Sequence, residues 1–215
     1  MPLEQYGHAI LGWNLNNKKV IYKPTKPRQI KEPYVCIAVQ ASGTPKCWLN
    51  PNGWNFVVDY LKQIGYRVLC IDKDQTCSDY GNVVSKPDGA EDFTGNLPII
   101  ERINLLAYAD FFIGLGSGLS WLAWSVDIPV ILISGISSPW CEFYTPYRIN
   151  NPLVCHGCYN DLRYNYSDIF KCPRYKGNAQ SYECSKKISA QQVINAINDI
   201  VDKKYKRSDE FDNNY

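Results

Sequence analysis

Short, continuous apolar runs alternate along this chain with stretches in which apolar residues recur at helical spacing. The apolar runs, rich in β-branched and aromatic residues, lie at residues 34–39, 66–71, 111–113 and 129–133. Such runs are typical of strands buried on both faces of a parallel sheet. The stretches with helical spacing lie between them, at residues 54–64, 98–107 and 119–126. Strands that alternate with helices indicate right-handed crossovers, so the pattern predicts an α/β fold with a Rossmann-like, mostly parallel sheet.

The remaining segments divide the chain around this predicted sheet. Residues 1–32 form a polar lead-in that contains prolines, and the polar residues 72–97 are predicted to be mostly loop. A last helix begins at Ser189, which is spaced from Gln192 as in a capping box. The predicted domains are a sheet domain at 33–150 and 189–203, an inserted segment at 151–188 and a disordered tail at 204–215.

Composition and charge exclude several classes of protein. The 215 residues allow one domain with an appendage, and a net charge of +2 gives no bulk attraction to nucleic acid or to a membrane. The first residues lack the pattern of a secretory signal, and no run approaches the ~20 apolar residues that span a bilayer. We therefore expect a cytoplasmic protein whose nine cysteines are thiols or metal ligands rather than disulfides.

Four of these cysteines have the spacing of a metal site. Two residues separate Cys155 from Cys158, and Cys172 and Cys184 follow at longer intervals. Two thiolates on one tight turn can face a single ion, and two distant thiolates complete a tetrahedron. The segment is too polar to build its own core, so a bound metal would supply its folding energy. From this chemistry alone zinc is the default ion, and free thiols are the alternative.

Two loops that follow predicted strands carry residues suited to a diphosphate. Lys46 lies in the loop after the first strand, and a glycine-rich loop at 114–120 precedes a helix. The lysine can neutralise a phosphate, and the amides of Ser117, Gly118 and Leu119 can bind an anion at the positive end of the helix dipole. A tight glycine-rich turn without a ligand is the alternative, because this glycine spacing alone is weak evidence.

Two further polar positions are candidates for binding a sugar. Asp92 and Thr94 lie in the long loop and could bind ribose or sugar hydroxyls, although they also suit ordinary turn and cap roles. Glu142 lies in an aromatic-rich loop after the fourth predicted strand and could hydrogen-bond a sugar.

Several motifs, in order along the chain, carry a resemblance to a known family. They lie at residues 33–40, 55–72, 91–95, 109–124 and 142–148, and the four cysteines follow. In these motifs the chain resembles the bacterial autotransporter heptosyltransferases and, more distantly, the lipopolysaccharide-core heptosyltransferases. The Asp-Thr-Gly-Leu-x-His element of the latter corresponds here to residues 116–121, which lack its Asp and His and therefore favour the autotransporter branch.

The resemblance implies a fold, a reaction and a set of site residues. It implies the donor-binding C-terminal lobe of a GT-B glycosyltransferase, and transfer of heptose from ADP-glycero-manno-heptose to serine hydroxyls of an autotransporter adhesin in the cytoplasm. It also implies iron at the four cysteines and assembly into rings. By position, Lys46 would contact the donor phosphates and Asp92 and Thr94 would lie near the donor sugar or ribose. The implied diphosphate cradle comprises Ser117, Gly118, Leu119 and Ser120.

The resemblance also implies that this chain is half of an enzyme. Family members are about twice as long, and the lobe with the catalytic aspartate precedes the segment seen here. The chain is therefore expected to be a donor lobe that works as a homo-oligomer or with a separate N-terminal lobe, and the catalytic base is not assigned within it. The alternatives are a nucleotide-sugar-binding or assembly module without chemistry and a nucleic-acid binder, the latter disfavoured by the acidic residues among the basic ones at 161–187.

Overall fold

The computed structural model describes residues 3–12, 19–79, 82–164 and 171–212. Its strands are β1 (Tyr34–Ile37), β2 (Arg67–Cys70), β3 (Thr76–Asp79), β4 (Asn82–Ser85), β5 (Glu91–Asp92), β6 (Phe112–Leu115), β7 (Val130–Ile133) and β8 (Arg148–Ile149). Its α-helices are α1 (Leu3–Ile10), α2 (Gly53–Gln63), α3 (Ile99–Leu106), α4 (Gly118–Ser125), α5 (Glu183–Lys186) and α6 (Ala190–Asp212). Within the described residues, no helix has both the length and the apolar character needed to cross a bilayer.

Six strands form one parallel sheet in the order β5-β2-β1-β6-β7-β8. The chain first builds outward from β1 in one direction, through β2 to β5, and then returns to the other side of β1 at β6. This strand order is that of a Rossmann fold, so the predicted fold class is confirmed. The reversal of direction places a crevice at the carboxyl ends of β1 and β6.

Both faces of the sheet are covered, which explains the continuous apolar runs. Val35 and Ile37 of β1 face α2 and α6, whereas Tyr34 and Cys36 face the layer of α3 and α4. All four side chains are at most 1% exposed. Full burial of an aliphatic side chain of this size contributes roughly 1.5–3 kcal/mol, so the two apolar layers are a major source of the stability of the sheet.

The polar segment at 72–97 is more ordered than the sequence indicates. It contains the antiparallel hairpin of β3 and β4 and the short edge strand β5, where mostly loop was predicted. The strand β8 was also missed. These strands are two to four residues long, and most of them are polar, so no apolar run marks them.

The last helix begins as predicted but ends later. The Ser189 hydroxyl and the side chain of Gln192 exchange capping hydrogen bonds with each other's backbone N–H groups. The helix then continues to Asp212, beyond the predicted boundary at 203. No glycine or proline interrupts residues 201–212, and Lys203 forms an i,i+4 ion pair with Asp199. Residues 213–215 of the predicted tail lie outside the described part of the chain.

Candidate donor-binding site

The crevice at the reversal of strand order is formed by two of the predicted loops. One loop follows β1 and carries Lys46, and the other joins β6 to α4 and carries residues 116–117. Because β1 and β6 are adjacent parallel strands, ~4.8 Å apart, their carboxyl ends open onto the same edge. The fold therefore brings together the lysine and the helix start that the sequence proposed for a diphosphate.

A rigid turn presents Lys46. Residues Thr44–Lys46 form one turn of 3-10 helix, in which the Lys46 N–H donates to Gly43 O at 3.0 Å and the Cys47 N–H donates to Thr44 O at 3.0 Å. Pro45 restricts the backbone at the start of the turn. The lysine itself is half-buried, and its Nζ lies 3.5 Å from the Ser42 hydroxyl. The backbone beneath the ammonium group is therefore fixed.

The three glycines of the second loop have different roles. A Cβ added to Gly114 would lie 2.4 Å from Phe112 Cε1, and one added to Gly116 would lie 2.8 Å from Glu142 Oε1. Both positions are therefore closed to larger residues by packing. A Cβ on Gly118 would meet no atom within 4 Å. Only Gly118 leaves open space beside the first turn of α4, where a ligand could approach the backbone.

The four residues of the predicted cradle do not all face the crevice. The Ser120 side chain is fully buried, and its hydroxyl donates to Leu115 O inside the fold. Ser117 is extended and precedes α4, while Gly118 and Leu119 belong to its first turn. N–H groups of a first helical turn have no intrahelical acceptor, and the helix dipole favours an anion beside them. The Ser117 N–H donates to Leu115 O at 2.6 Å, so the amides of Gly118 and Leu119, rather than the Ser117 amide or the Ser120 hydroxyl, are the groups of the predicted cradle placed to meet an anion.

Asp92 and Thr94 lie at the same edge but farther along the sheet. Asp92 ends β5, which is two strands and so roughly 10 Å from β1. Its carboxylate accepts hydrogen bonds from the Thr94 hydroxyl (2.6 Å) and backbone N–H (3.0 Å), and from the Gln75 amide. These bonds hold the pKa of Asp92 below its usual value. The two residues therefore have the local turn role that the sequence left open, and both remain on the ligand-facing edge.

A buried arginine holds this last loop in place. Arg102, on α3, is 5% exposed and donates to Phe93 O at 2.7 Å, to Gly95 O at 2.8 Å and to Asp72 O at 3.2 Å. Its planar group has several donors and so can link carbonyls from two loops. Arg102 lies in the stretch with helical spacing at 98–107, and nothing in the local sequence indicates which carbonyls lie above it.

A second residue missed by the sequence analysis is Asp72. It lies two residues after the end of β2, is 2% exposed, and accepts backbone N–H bonds from Val39 at 2.8 Å and Gln40 at 3.2 Å. Burial raises its pKa to about 6, although the two N–H bonds oppose that shift. Asp72 thus connects β2 to the beginning of the Lys46 loop. The available signal was an acid placed directly after a buried strand, at the ligand-binding edge.

Glu142 has a structural position that differs from the sugar-binding one considered for it. It is 5% exposed, accepts from the Ser134 hydroxyl at 2.6 Å and pairs with Arg148 Nε at 2.8 Å. Arg148 in turn donates to Ser137 O at 2.7 Å. Since its oxygens are engaged below Gly116, Glu142 supports the floor of the glycine loop.

A cavity of about 380 Å³ lies beside the start of α2 and does not coincide with this crevice. Its lining includes Trp48, Asn55, Lys86 and Asp88 and none of the predicted donor-contacting residues. The Lys86 ammonium group donates to Ala90 O at 2.7 Å, and Asn55 accepts from the Asp88 N–H at 3.1 Å. These polar groups are therefore used within the protein, whereas the buried indole N–H of Trp54, which also lines the cavity, has no hydrogen-bond partner in the described part of the chain. We assign the cavity no ligand.

The four predicted metal ligands lie on the segment that follows the sheet. Cys158 begins a single 3-10 turn after Gly157, and Cys184 lies on α5. Burial and, after it, the neighbouring thiols of the set raise the pKa of Cys158 to about 11 and that of Cys184 to about 12. Burial and then Cys172 likewise raise the pKa of Cys155. The four thiols therefore lie within electrostatic reach of one another.

The described residues contain no assembled metal site. Across 3–12, 19–79, 82–164 and 171–212, no three His, Cys, Asp or Glu side chains are arranged to hold an ion. A set of four neighbouring cysteines nevertheless fits a cation chemically, because a metal binds the thiolate form and removes the repulsion between neighbouring thiolates. The donor set suits a soft or borderline metal in a tetrahedron.

Comparison with protein families and curated proteins gives a consistent result. Residues 9–172 match the profile of glycosyltransferase family 9 (heptosyltransferase). The chain is 51% identical to the autotransporter heptosyltransferase Aah of Escherichia coli, over 79% of this chain and 44% of that protein. It is 48% identical to the autotransporter heptosyltransferase TibC of Escherichia coli O78:H11, over 89% of this chain and 48% of that protein. It is also 37% identical to the inactive autotransporter heptosyltransferase BimC of Burkholderia thailandensis, over 80% and 41%.

Solved structures agree with these sequence comparisons. The crystal structure of dodecameric iron-containing TibC in complex with ADP-D-β-D-heptose superposes with a TM-score of 0.89 and 45% identity, over 94% of this chain and 54% of that one. A likeness of fold alone extends to E. coli ADP-heptose lps heptosyltransferase II, with a TM-score of 0.52 and 15% identity over 95% and 53% of the two chains. The chain spans about half the length of the curated relatives it matches.

Proposed function

Because the chain belongs to the heptosyltransferases of glycosyltransferase family 9, we propose that it is a donor-binding lobe that takes ADP-glycero-manno-heptose. The observation that carries this proposal is the position of the Lys46 turn and the start of α4 on the two adjacent strands where the strand order reverses. Ligands of open α/β sheets bind at such a point. The relative TibC, whose complex with ADP-heptose has this fold, supports the choice of donor.

Each candidate residue has a role in this proposal. The Lys46 ammonium group binds the donor phosphates, and the N–H groups of Gly118 and Leu119, next to the extended Ser117, form the cradle for the diphosphate. Ser120 contributes by fixing the cradle through its bond to Leu115 rather than by touching the donor. The loop of Asp92 and Thr94 lies farther along the edge and is proposed to contact the sugar or ribose.

The chemical contribution of these groups is to stabilise the leaving group. When the bond from the anomeric carbon to the diphosphate breaks, negative charge grows on the ADP, and a lysine with fixed backbone N–H groups stabilises it without reorganisation. The acceptor in the proposal is a serine hydroxyl of an autotransporter adhesin, in the cytoplasm. Its proton needs a base held in the same closed cleft, and we assign that base to a complementary lobe outside these 215 residues.

Titration calorimetry with ADP-heptose tests the donor proposal. We expect the wild-type chain to bind ADP-heptose in preference to UDP-glucose, and Lys46→Met to weaken binding about tenfold or more, since a charge-assisted bond to phosphate contributes roughly 1.5–3 kcal/mol. Lys73→Met is the matched control, because Lys73 is an exposed lysine at the same sheet edge but after β2. Equal losses of affinity for ADP-heptose in the two variants, or no binding by the wild type, would refute the proposed donor site.

We further propose that Cys155, Cys158, Cys172 and Cys184 bind iron, as the iron-containing relative TibC suggests. The metal would supply folding energy to the segment at 151–188. Elemental analysis of the purified chain should find one iron per chain, and Cys155→Ser or Cys172→Ser should remove it. Cys77→Ser, on the β3–β4 hairpin, is the control and should keep it. Zinc at one equivalent, or iron retained in the Cys155→Ser variant, would contradict this assignment.

A non-catalytic nucleotide-sugar-binding or assembly module is the second candidate. The observation that favours it is the 37% identity to a relative that is named an inactive heptosyltransferase. Binding of ADP-heptose without release of ADP, in the presence of an acceptor and a complementary N-terminal lobe, would identify this module. Release of ADP only when that lobe is added would identify the donor half of an enzyme.

A further inference from the structure

The four-cysteine segment holds the loop that carries Lys46. The Ser185 hydroxyl, on α5, accepts from the Leu49 N–H at 2.8 Å and donates to Cys47 O. The Trp48 indole N–H donates to Ile188 O at 2.9 Å. These bonds join residues about 140 positions apart in the chain and begin directly after Lys46. The backbone next to the lysine is therefore fixed by the cysteine-bearing segment.

The same segment places an aromatic ring beside the lysine ammonium group. Lys46 Nζ lies 5.9 Å from the ring centroid of Tyr159, the residue after Cys158. The turn that carries Tyr159 is itself fixed to the sheet. The Tyr159 N–H donates to Ile136 O at 3.0 Å, and the Asn160 side chain accepts from the Ser138 N–H at 2.8 Å. The backbone that carries this half-exposed ring is thus fixed to the sheet.

From this geometry we infer that Tyr159 is a positioning residue for Lys46 and tunes the affinity of the crevice for the diphosphate of a nucleotide. A lysine ammonium group sits on a flexible four-carbon stem, and an aromatic face within about 6 Å restrains it through a cation–π interaction. Apart from this ring, the Nζ contact that the structure shows is with the Ser42 hydroxyl at 3.5 Å. The inference rests on the proposed role of Lys46 in binding the donor phosphates.

Calorimetric titration of the full chain with ADP tests the inference. Tyr159→Leu removes the ring face and should raise the Kd for ADP about two- to fivefold, the size expected for a cation–π contact at a partly exposed site. Tyr159→Phe keeps the ring and should bind ADP as the wild type does. The matched control is Tyr144→Leu, the same change at an exposed tyrosine on a different loop. A merely structural role would give Leu and Phe variants that differ in stability but not in ADP affinity.

A double-mutant cycle identifies the lysine as the group through which Tyr159 acts. If the ring positions Lys46, then Tyr159→Leu has no further effect on ADP affinity once Lys46→Met is present. Adenosine, which lacks the phosphates, should bind the wild type and Tyr159→Leu equally. Independent, multiplicative losses in the double variant would overturn the inference, as would wild-type affinity in Tyr159→Leu.

The same titrations separate failure of the inference from failure of the proposed function. A wild-type chain that does not bind ADP overturns both. A chain that binds ADP and loses affinity in Lys46→Met, but not in Tyr159→Leu, keeps the proposed function and overturns only the positioning role of Tyr159.

Discussion

The sheet domain and the four-cysteine segment are stabilised by different kinds of interaction. In the sheet, the central strands bury aliphatic and aromatic side chains on both faces, in two apolar layers. In the described part of 151–188, the buried side chains are instead thiols and hydroxyls, with one aliphatic residue, Ile188, at its end. Both of its leucines, Leu153 and Leu162, are almost fully exposed, at 91% and 102%. The apolar pattern therefore determines the fold of the sheet, whereas the segment depends on its thiols and on docking against the sheet.

Ion pairs in the two regions differ in the same way. The Arg148–Glu142 pair in the sheet domain has side chains 14% and 5% exposed, whereas those of the Arg163–Asp161 pair in the segment are 78% and 23% exposed. Removing one partner of a buried pair leaves an unpaired charge in a poorly solvated site, and removing one partner of an exposed pair leaves a charge in water. This difference gives the largest and the smallest of the effects expected below.

The largest effect should come from Arg148→Met. This change leaves Glu142 buried and without its ion-pair partner, and we expect the free energy of unfolding to fall by about 3–5 kcal/mol. Urea denaturation measures the loss. The double variant Glu142→Leu with Arg148→Met removes both charges and should recover much of it. A loss below about 1 kcal/mol in the single variant would show that the pair is not an important support of the glycine loop.

The second effect is a dependence of the free energy of unfolding on pH, which arises in the sheet domain. Burial raises the pKa of Asp72 to about 6, so the folded state holds its proton more tightly than the unfolded chain does. The free energy of unfolding should therefore rise as the pH falls from about 6 to about 4, by roughly 2–3 kcal/mol from this group alone. Asp72→Asn should remove this contribution from the pH profile of stability, while Asp74→Asn, which retains Asp72, should keep it. If the pH profile of stability is unchanged in Asp72→Asn, Asp72 is not the group responsible for this dependence.

The third effect concerns the contact between the two regions. Gly135 follows β7, and a Cβ there would lie 2.2 Å from the carbonyl oxygen of Cys184. We expect Gly135→Ala to displace α5, to cost about 1–3 kcal/mol and to speed proteolysis within the cysteine segment more than within the sheet. Gly118→Ala is the control, because a Cβ at Gly118 meets open space. Proteolysis of the segment at the wild-type rate in Gly135→Ala would show that docking does not restrain it.

The sequence predicts the sheet well because strands that are buried on both faces carry apolar side chains at successive positions, and these form continuous apolar runs. It also predicts the two loops of the crevice, since Lys46 and Gly118 follow the carboxyl ends of strands that topology makes adjacent. It does not predict Arg102 or Asp72, whose partners are backbone groups of other loops.

The sequence predicts neither the orientation of the Ser120 side chain nor the docking of the four-cysteine segment against the sheet domain. The Ser120 hydroxyl was expected in the cradle, but its inward bond to Leu115 depends on the packing behind the glycine loop. The bond between Leu49 and Ser185 joins residues 136 positions apart, and no local pattern encodes such a pair. Iron at the four cysteines and donor contacts at Asp92 remain predictions.

The smallest effect should come from Arg163→Met, which tests the comparison from the side of the segment. The Arg163 guanidinium group lies on the surface and pairs with an acid two residues away, so water can solvate Asp161 once the arginine is gone. We expect the midpoint of urea denaturation and the rate of proteolysis within the segment to stay at their wild-type values. Tyr164→Leu, at the next position in the chain, controls for disturbance of this loop. A clear loss of stability in Arg163→Met, but not in Tyr164→Leu, would mean that a surface ion pair also maintains the segment, in addition to its thiols and its hydrogen bonds to the sheet domain. The two regions would then differ only in how much each depends on ion pairs.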